Sequence, residues 1–224
     1  MHKSFLRILG NDEVKTSNVV EEIDGEVIRG DLEVGSTQYP IVNGVPIFYQ
    51  ESQEGNCEEQ KLTNQAFSFK WGEKMTEFDD RMFDVSMNFV IKRLKPLGIH
   101  SREDYKGFLK SKKMILDVGS GMGWMSSYMA QHTEGEVVSA EIGDGVFAGY
   151  EKCRALKNCH VIKADLMNLP FQDNTFDFIH SDGVLHHTPD CKAAVKALYD
   201  KLNWGGGVLV LYLQRNEPGQ TFLR

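Results

Sequence analysis

The sequence predicts an α/β protein. A mostly parallel sheet has helices on both faces, is short at its C-terminal end, and is preceded by a small β-rich segment and a helical cap. Three observations carry this expectation. Met114–Val118 is a short apolar run that ends in glycines and resumes as a helical pattern through Met125, Tyr128 and Met129. From there to Leu213, short apolar runs alternate with helix-period segments, as in successive βα units. The first fifty residues instead place Val19, Val20, Ile23, Val27 and Ile28 among Gly25, Gly30 and Gly35, the punctuation of short strands and turns.

The 224 residues suffice for one full domain with a small appendage, and divide into 1–50, 51–112 and 113–224. A hydrophobic fraction of 41% and a charged fraction of 25% are those of an ordinary soluble protein. The net charge of −7 argues against non-specific binding to nucleic acid or anionic membranes. No apolar run approaches the ~20 residues of a membrane span. Met1–Gly10 is interrupted by Arg7 and is too short for a signal peptide. Cys57, Cys153, Cys159 and Cys191 form no C-x-x-C pair and no zinc spacing, so no metal site is expected. A cytoplasmic protein with reduced thiols is the expectation.

In chain order, Tyr39–Phe48 reads as a hairpin, with Asn43-Gly44 suited to a primed turn. Residues 51–60 are polar and acidic, as a linker would be. Phe67, Phe69 and Trp71 follow at a spacing of two, as an extended segment whose aromatics lie over a neighbouring surface or plug the interface between units. Met82, Phe83, Val85, Met87, Phe89, Val90 and Leu94 lie near helical spacing up to Pro96-Leu97-Gly98, and a short helix from Asp104 to Leu109 precedes the first core strand.

Strand one, Met114 to Val118, turns through Gly119, Gly121 and Gly123 into a helix ending near His132. Strand, glycine-rich turn and helix open a Rossmann-like sheet, whose ligands bind beyond the carboxyl ends of the strands. A dinucleotide fingerprint needs a glycine at position 124, where this chain has Trp124, which counts against a nicotinamide oxidoreductase. Asp117 just before the turn suits a cationic ligand better than a pyrophosphate. Strand two, Val137 to Ile142, carries Glu141 close to the ~20-residue interval at which an acid reaches ribose hydroxyls. Helix two spans roughly Gly145 to Leu156, and strand three, His160 to Ala164, leads into Asp165-Leu166-Met167-Asn168-Leu169-Pro170-Phe171. Strand four, Phe176 to His180, is followed by Ser181-Asp182-Gly183-Val184-Leu185-His186-His187-Thr188-Pro189-Asp190. Thr188 as N-cap and Pro189 as first helical residue would start the next helix. Strand five, Val208 to Leu213, comes after Asn203-Trp204-Gly205-Gly206-Gly207.

Four ordered signatures within residues 113 to 214 resemble the class I S-adenosylmethionine-dependent methyltransferases. They are Asp117 with Gly119-x-Gly121-x-Gly123, Asp165-Leu166 with Pro170-Phe171, Val184 to Asp190, and Leu202-x-x-Gly-Gly-x-Leu-like glycines before strand five. The resemblance implies S-adenosylmethionine as cofactor, held by Asp117, Gly119, Ser120, Gly121, Gly123, Trp124, Glu141, Ile142, Asp165, Leu166, Ser181, Asp182 and Gly183. Asp165 would accept the adenine amine and the Leu166 N–H would reach the ring. His186 and His187, where the acceptor should approach, are the candidate catalytic residues. Residues 1–50 are also similar to small zinc-ribbon-like domains, without the cysteines such a ribbon needs. The family continues with another helix and two strands beyond strand five. An edge strand left exposed there would favour a homodimer.

The expected function is methyl transfer to a small-molecule or sugar acceptor, at oxygen or carbon, because no Asn-Pro-Pro-Tyr follows strand four. The alternative is a cofactor-binding module that is non-catalytic or needs a partner.

Overall fold

The computed structural model describes residues 1–10, 13–49, 80–205 and 207–212. The linker at 51–60, the Phe67/Phe69/Trp71 cluster and the stretch beyond Tyr212 lie outside these residues. Residues 14–46 form an antiparallel meander of β1 (Val14–Ile23), β2 (Glu26–Val34), β3 (Thr37–Val42) and β4 (Val45–Pro46). The β3–β4 turn is the expected primed one. Asn43 and Gly44 take φ of 49° and 79° between paired Val42 and Val45.

Two helices follow, α1 (Asp80–Leu94) and α2 (Arg102–Lys110). A single turn of 3-10 helix containing Pro96 ends α1, where proline was expected to stop it. Ser101 opens α2 with a capping box, its hydroxyl accepting from Asp104 N and the Asp104 carboxylate accepting from Ser101 N.

The core is β5 (Met114–Val118), α3 (Trp124–His132), β6 (Glu136–Glu141), α4 (Gly145–Cys153), β7 (Cys159–Lys163), β8 (Phe178–Asp182), α5 (Cys191–Lys201) and β9 (Val208–Tyr212). The strands pair in parallel in the order β7-β6-β5-β8-β9, so the order reverses beside β5. Such a switch point opens a crevice at the carboxyl ends of β5 and β8.

Side-chain alternation divides the core between two faces. Ile115, Val137, Val161 and Phe178 pack with α1, α2, α3 and α4; Leu116, Val138, Ile162 and Ile179 pack with α5 and the N-terminal unit. Residues 1–46 therefore share a core with the large sheet, through Phe5, Leu9, Val27, Leu32 and Ile41. The segment directly after them covers the β7 edge, where Ile47 bridges to Lys163 and the Phe48 and Tyr49 amides both donate to Lys163 O. Gly44 is required at the hairpin tip, because a Cβ there would lie 2.2 Å from the Tyr150 ring, whose hydroxyl donates to Glu26.

Two expectations shift. Strand four begins at Phe178, and Phe176 makes only an isolated bridge to Leu202. Helix α5 is capped by Asp190, which accepts from Lys192 N and Ala193 N, and Thr188 instead donates to Leu185 O within the preceding turn. A carboxylate placed directly before the helix satisfies two orphan amides, which the more distant hydroxyl cannot do. No helix among the described residues is long and apolar enough to cross a membrane.

Candidate functional site

The candidate site is the crevice at the switch point, built from the ends of β5, β6, β7 and β8. After β5 the chain turns through Gly119, Gly121 and Gly123, all at positive φ, and Gly123 stands as N-cap of α3. The Gly119 and Ser120 amides donate to Ala140 O, which pins the turn against β6.

Glu141, at the end of β6, reaches across to this turn. Its Oε2 accepts from Gly121 N at 2.8 Å and its Oε1 from Gly143 N at 2.7 Å. Burial pushes its carboxyl above the usual range, against the opposing pull of the Gly143, Gly121 and Ile142 amides. Each carboxylate oxygen has two lone pairs, so the bonds from the Gly121 and Gly143 amides do not exhaust its capacity to accept from a ligand hydroxyl. Ile142 is half-buried next to it. Beyond β7, Asp165 caps a 3-10 turn, its Oδ1 accepting from Met167 N, and Leu166 is buried beside it.

Asp117 lies beneath the turn rather than on its open side. It is 2% exposed, with Oδ1 2.9 Å from His180 Nδ1 and Oδ2 accepting from Ser126 Oγ. With its one proton on Asp117, Ser126 Oγ accepts from Ser139 Oγ at 2.9 Å, and Ser139 in turn accepts from Ser120 on the turn itself. With both oxygens engaged in the interior, Asp117 can act on a ligand only through this network. Ser181 is likewise buried, its hydroxyl donating to Val118 O. Trp124 opens α3 half-buried, edge-on to Phe83 at 5.6 Å between ring centroids.

At the end of β8, the Asp182 carboxylate accepts a hydrogen bond from Arg93 of α1. Gly183 takes φ of 74° and donates to Tyr212 O, tying β8 to the end of β9. The next residue, Val184, fills the space where Gly119 lacks a side chain; a Cβ at Gly119 would sit 2.2 Å from Val184 Cγ2. This glycine thus admits the neighbouring loop, a use that its spacing in the motif does not reveal. A 3-10 turn, Leu185–His187, carries the two histidines, whose ring centroids are 4.0 Å apart. His186 is half-buried and His187 exposed. Burial lowers the His186 pKa below 6.5, while the Asp182 charge pulls it upward.

The structure therefore brings the glycine turn, Glu141, Asp182, Gly183 and the histidine turn to one end of the sheet. Sequence reasoning missed His180, Ser126 and Arg93. A histidine ending the apolar run Phe178-Ile179 was a legible anomaly, whereas Arg93 reads as an ordinary solvated helix residue.

Comparison with known proteins bears on this end of the sheet. Residues 116–210 match the family described as a methyltransferase domain. The chain is 32% identical over 152 residues to a demethylmenaquinone methyltransferase of Staphylococcus saprophyticus, covering 62% of this chain and 64% of that protein. It is 33% identical over 133 residues to a ubiquinone/menaquinone biosynthesis C-methyltransferase of Idiomarina loihiensis, covering 54% and 53%. Among solved structures, the N-methyltransferase NodS of Bradyrhizobium japonicum, in complex with S-adenosylhomocysteine, aligns with a TM-score of 0.50. Its identity is 16%, over 64% of this chain and 69% of that one, a likeness of fold. The chain spans about half the length of several of the curated relatives it matches, 49% and 53% of two of them.

Proposed function

We propose, from the premise that residues 116–210 are a methyltransferase domain of the class I, S-adenosylmethionine-dependent kind, that this chain transfers a methyl group to a small-molecule acceptor, with carbon as the preferred nucleophile. The observation that carries the reading is Glu141. Its carboxylate is held by Gly121 N on one oxygen and Gly143 N on the other, facing the glycine turn at the switch point. A residue so placed suits a ribose diol, which donates two hydroxyls to one charged acceptor.

Bound S-adenosylmethionine supplies an activated methyl on a sulfonium, so the remaining demand on the protein is alignment and, for some acceptors, removal of a proton. The turn residues Gly119, Ser120, Gly121 and Gly123 present backbone amides and close approach. Trp124 and Ile142 border the crevice with apolar surface. Asp165 and Leu166 are assigned to the adenine. Asp117 and Ser181 hold the turn and the end of β8 from below. Asp182 and Gly183 border the methyl end. His186 is assigned as the base that accepts the acceptor's proton, since a histidine near neutrality is matched to that task. His187 stands beside it. Carbon acceptors are favoured because the relatives include one named for C-methylation. The rings of Phe89 and Tyr212 around Arg93 offer a flat, partly apolar wall at the same end.

Titration calorimetry with S-adenosylmethionine, S-adenosylhomocysteine and NAD tests the cofactor. Methyl-donor consumption against phenolic, quinol and sugar acceptors then tests the reaction. Binding of NAD alone, or of neither sulfur compound, would remove the reading.

A further inference from the structure

Arg93 lies in the last turn of α1, far in sequence from the motifs that carry the methyltransferase resemblance. Its guanidinium bonds the Asp182 carboxylate and lies 3.4 Å from the centroid of the Tyr212 ring, with the Phe89 ring 5.9 Å away. One side chain thus joins the helical cap to the ends of β8 and β9. Both members of the pair are roughly three-quarters buried, at 27% and 28% exposure. At that depth solvent screens their charges less than it would at the surface.

Asp182 also acts on His186, four residues later. An unpaired carboxylate would favour the imidazolium, as opposite charges do. Yet burial outweighs its pull, and the His186 pKa falls rather than rises. The other charged groups near this turn are engaged elsewhere or lie in solvent. The His187 ring lies 4.0 Å from that of His186, tilted at 44° to it. On α5, which packs on the turn, Asp190 caps its own helix, Lys196 pairs with Asp200, Lys201 pairs with Asp173, and Lys192 is exposed. Arg93 is the cation seated on Asp182 itself.

We propose that Arg93 is a positioning residue of the methyl-transfer end, which neutralises the Asp182 carboxylate beside His186 and fixes the helical cap across the ends of β8 and β9. It rests on the proposed function insofar as His186 receives the acceptor's proton. In this arrangement His186 is kept in its basic form at neutral pH by a residue that need not touch either substrate.

The test is a histidine titration by NMR in protein with labelled imidazoles, His186 being identified by the signal lost in His186→Asn. No acceptor is needed. Arg93→Met should shift the His186 midpoint upward, more at low salt than at high. Arg93→Lys should shift it less, and Arg93→Met with Asp182→Asn should return it to the wild-type midpoint or below. An unchanged midpoint in folded Arg93→Met overturns the proposal, as does the same shift in the Asp182→Asn background. Should Arg93→Met not fold, Asp182→Asn alone decides. It should lower the midpoint, and no movement would refute the coupling. Full turnover in His186→Asn would remove the base assignment while leaving the titration result standing, so the two readings fail separately.

Discussion

Gly119→Ala tests whether the glycine turn is shaped by the loop it packs against. Gly119 takes φ of +67°, a region that costs an L-residue roughly 1–2 kcal/mol. An alanine Cβ would also lie 2.2 Å and 2.7 Å from the two γ-carbons of Val184. Relief requires Val184, and the histidine turn after it, to move by about an ångström. Overpacking of that kind costs about 1–3 kcal/mol, for a total of about 2–5 kcal/mol. The two contributions are separable. Val184→Ala removes both γ-carbons and leaves the backbone strain, so it should cost up to ~1.6 kcal/mol alone. In the double variant it should restore the overpacking part, giving a favourable coupling of about 1–3 kcal/mol. Urea denaturation of the four proteins without ligand measures this directly. If Gly119 serves only the approach of a ligand, the coupling will be near zero and Gly119→Ala will cost no more than its backbone strain. That result would refute the packing argument.

Four further outcomes are expected. Glu141→Ala should weaken S-adenosylhomocysteine binding by roughly 1.5–3 kcal/mol, about ten- to a hundred-fold, in calorimetry on folded protein; an unchanged Kd would remove the ribose assignment. His186→Asn should lower turnover by about 10²–10⁴-fold with S-adenosylhomocysteine affinity nearly intact, and equal losses in both would return His186 to a structural role. Because burial lowers the His186 pKa, the neutral base persists as pH falls past the unperturbed ~6.5. The acid limb of turnover should therefore lie below that pH, and a limb above it would contradict the assignment. We propose dimerisation along β9, whose outer edge pairs with no other strand among the described residues; a monomer at high concentration by light scattering, with slow amide exchange across Val208–Tyr212, would count against it.

The parts of the fold legible in the sequence are those where one residue type answers one local demand. Asn43-Gly44 named its turn because only a short list of residues accepts two positive φ values in a row. The alternation of β5 to β9 with helices was readable because both faces of the sheet are covered, so each strand is a short apolar run bounded by glycine or an acid. What remained hidden depends on partners distant in the chain. Asp117 reads as a ligand contact at the end of its strand, but its neighbours across the sheet, His180 and Ser139, draw it under the turn through Ser126. A buried carboxylate must be paired and hydrogen-bonded. The sequence shows the acid but not which strand stands beside it. Residues 1–50 read as a separate unit because their turns are local, although Phe5 and Ile41 complete the core on one face of the large sheet. Arg93 is the clearest case. A helix-end arginine is ordinarily solvated, and nothing in its local sequence distinguishes it. Its partner Asp182 and its ring Tyr212 lie at the ends of two parallel strands that meet only once the order β5-β8-β9 is set. This end of the sheet is therefore written twice, once in motifs that a reader can find along the chain, and once in contacts that exist only after the sheet has formed.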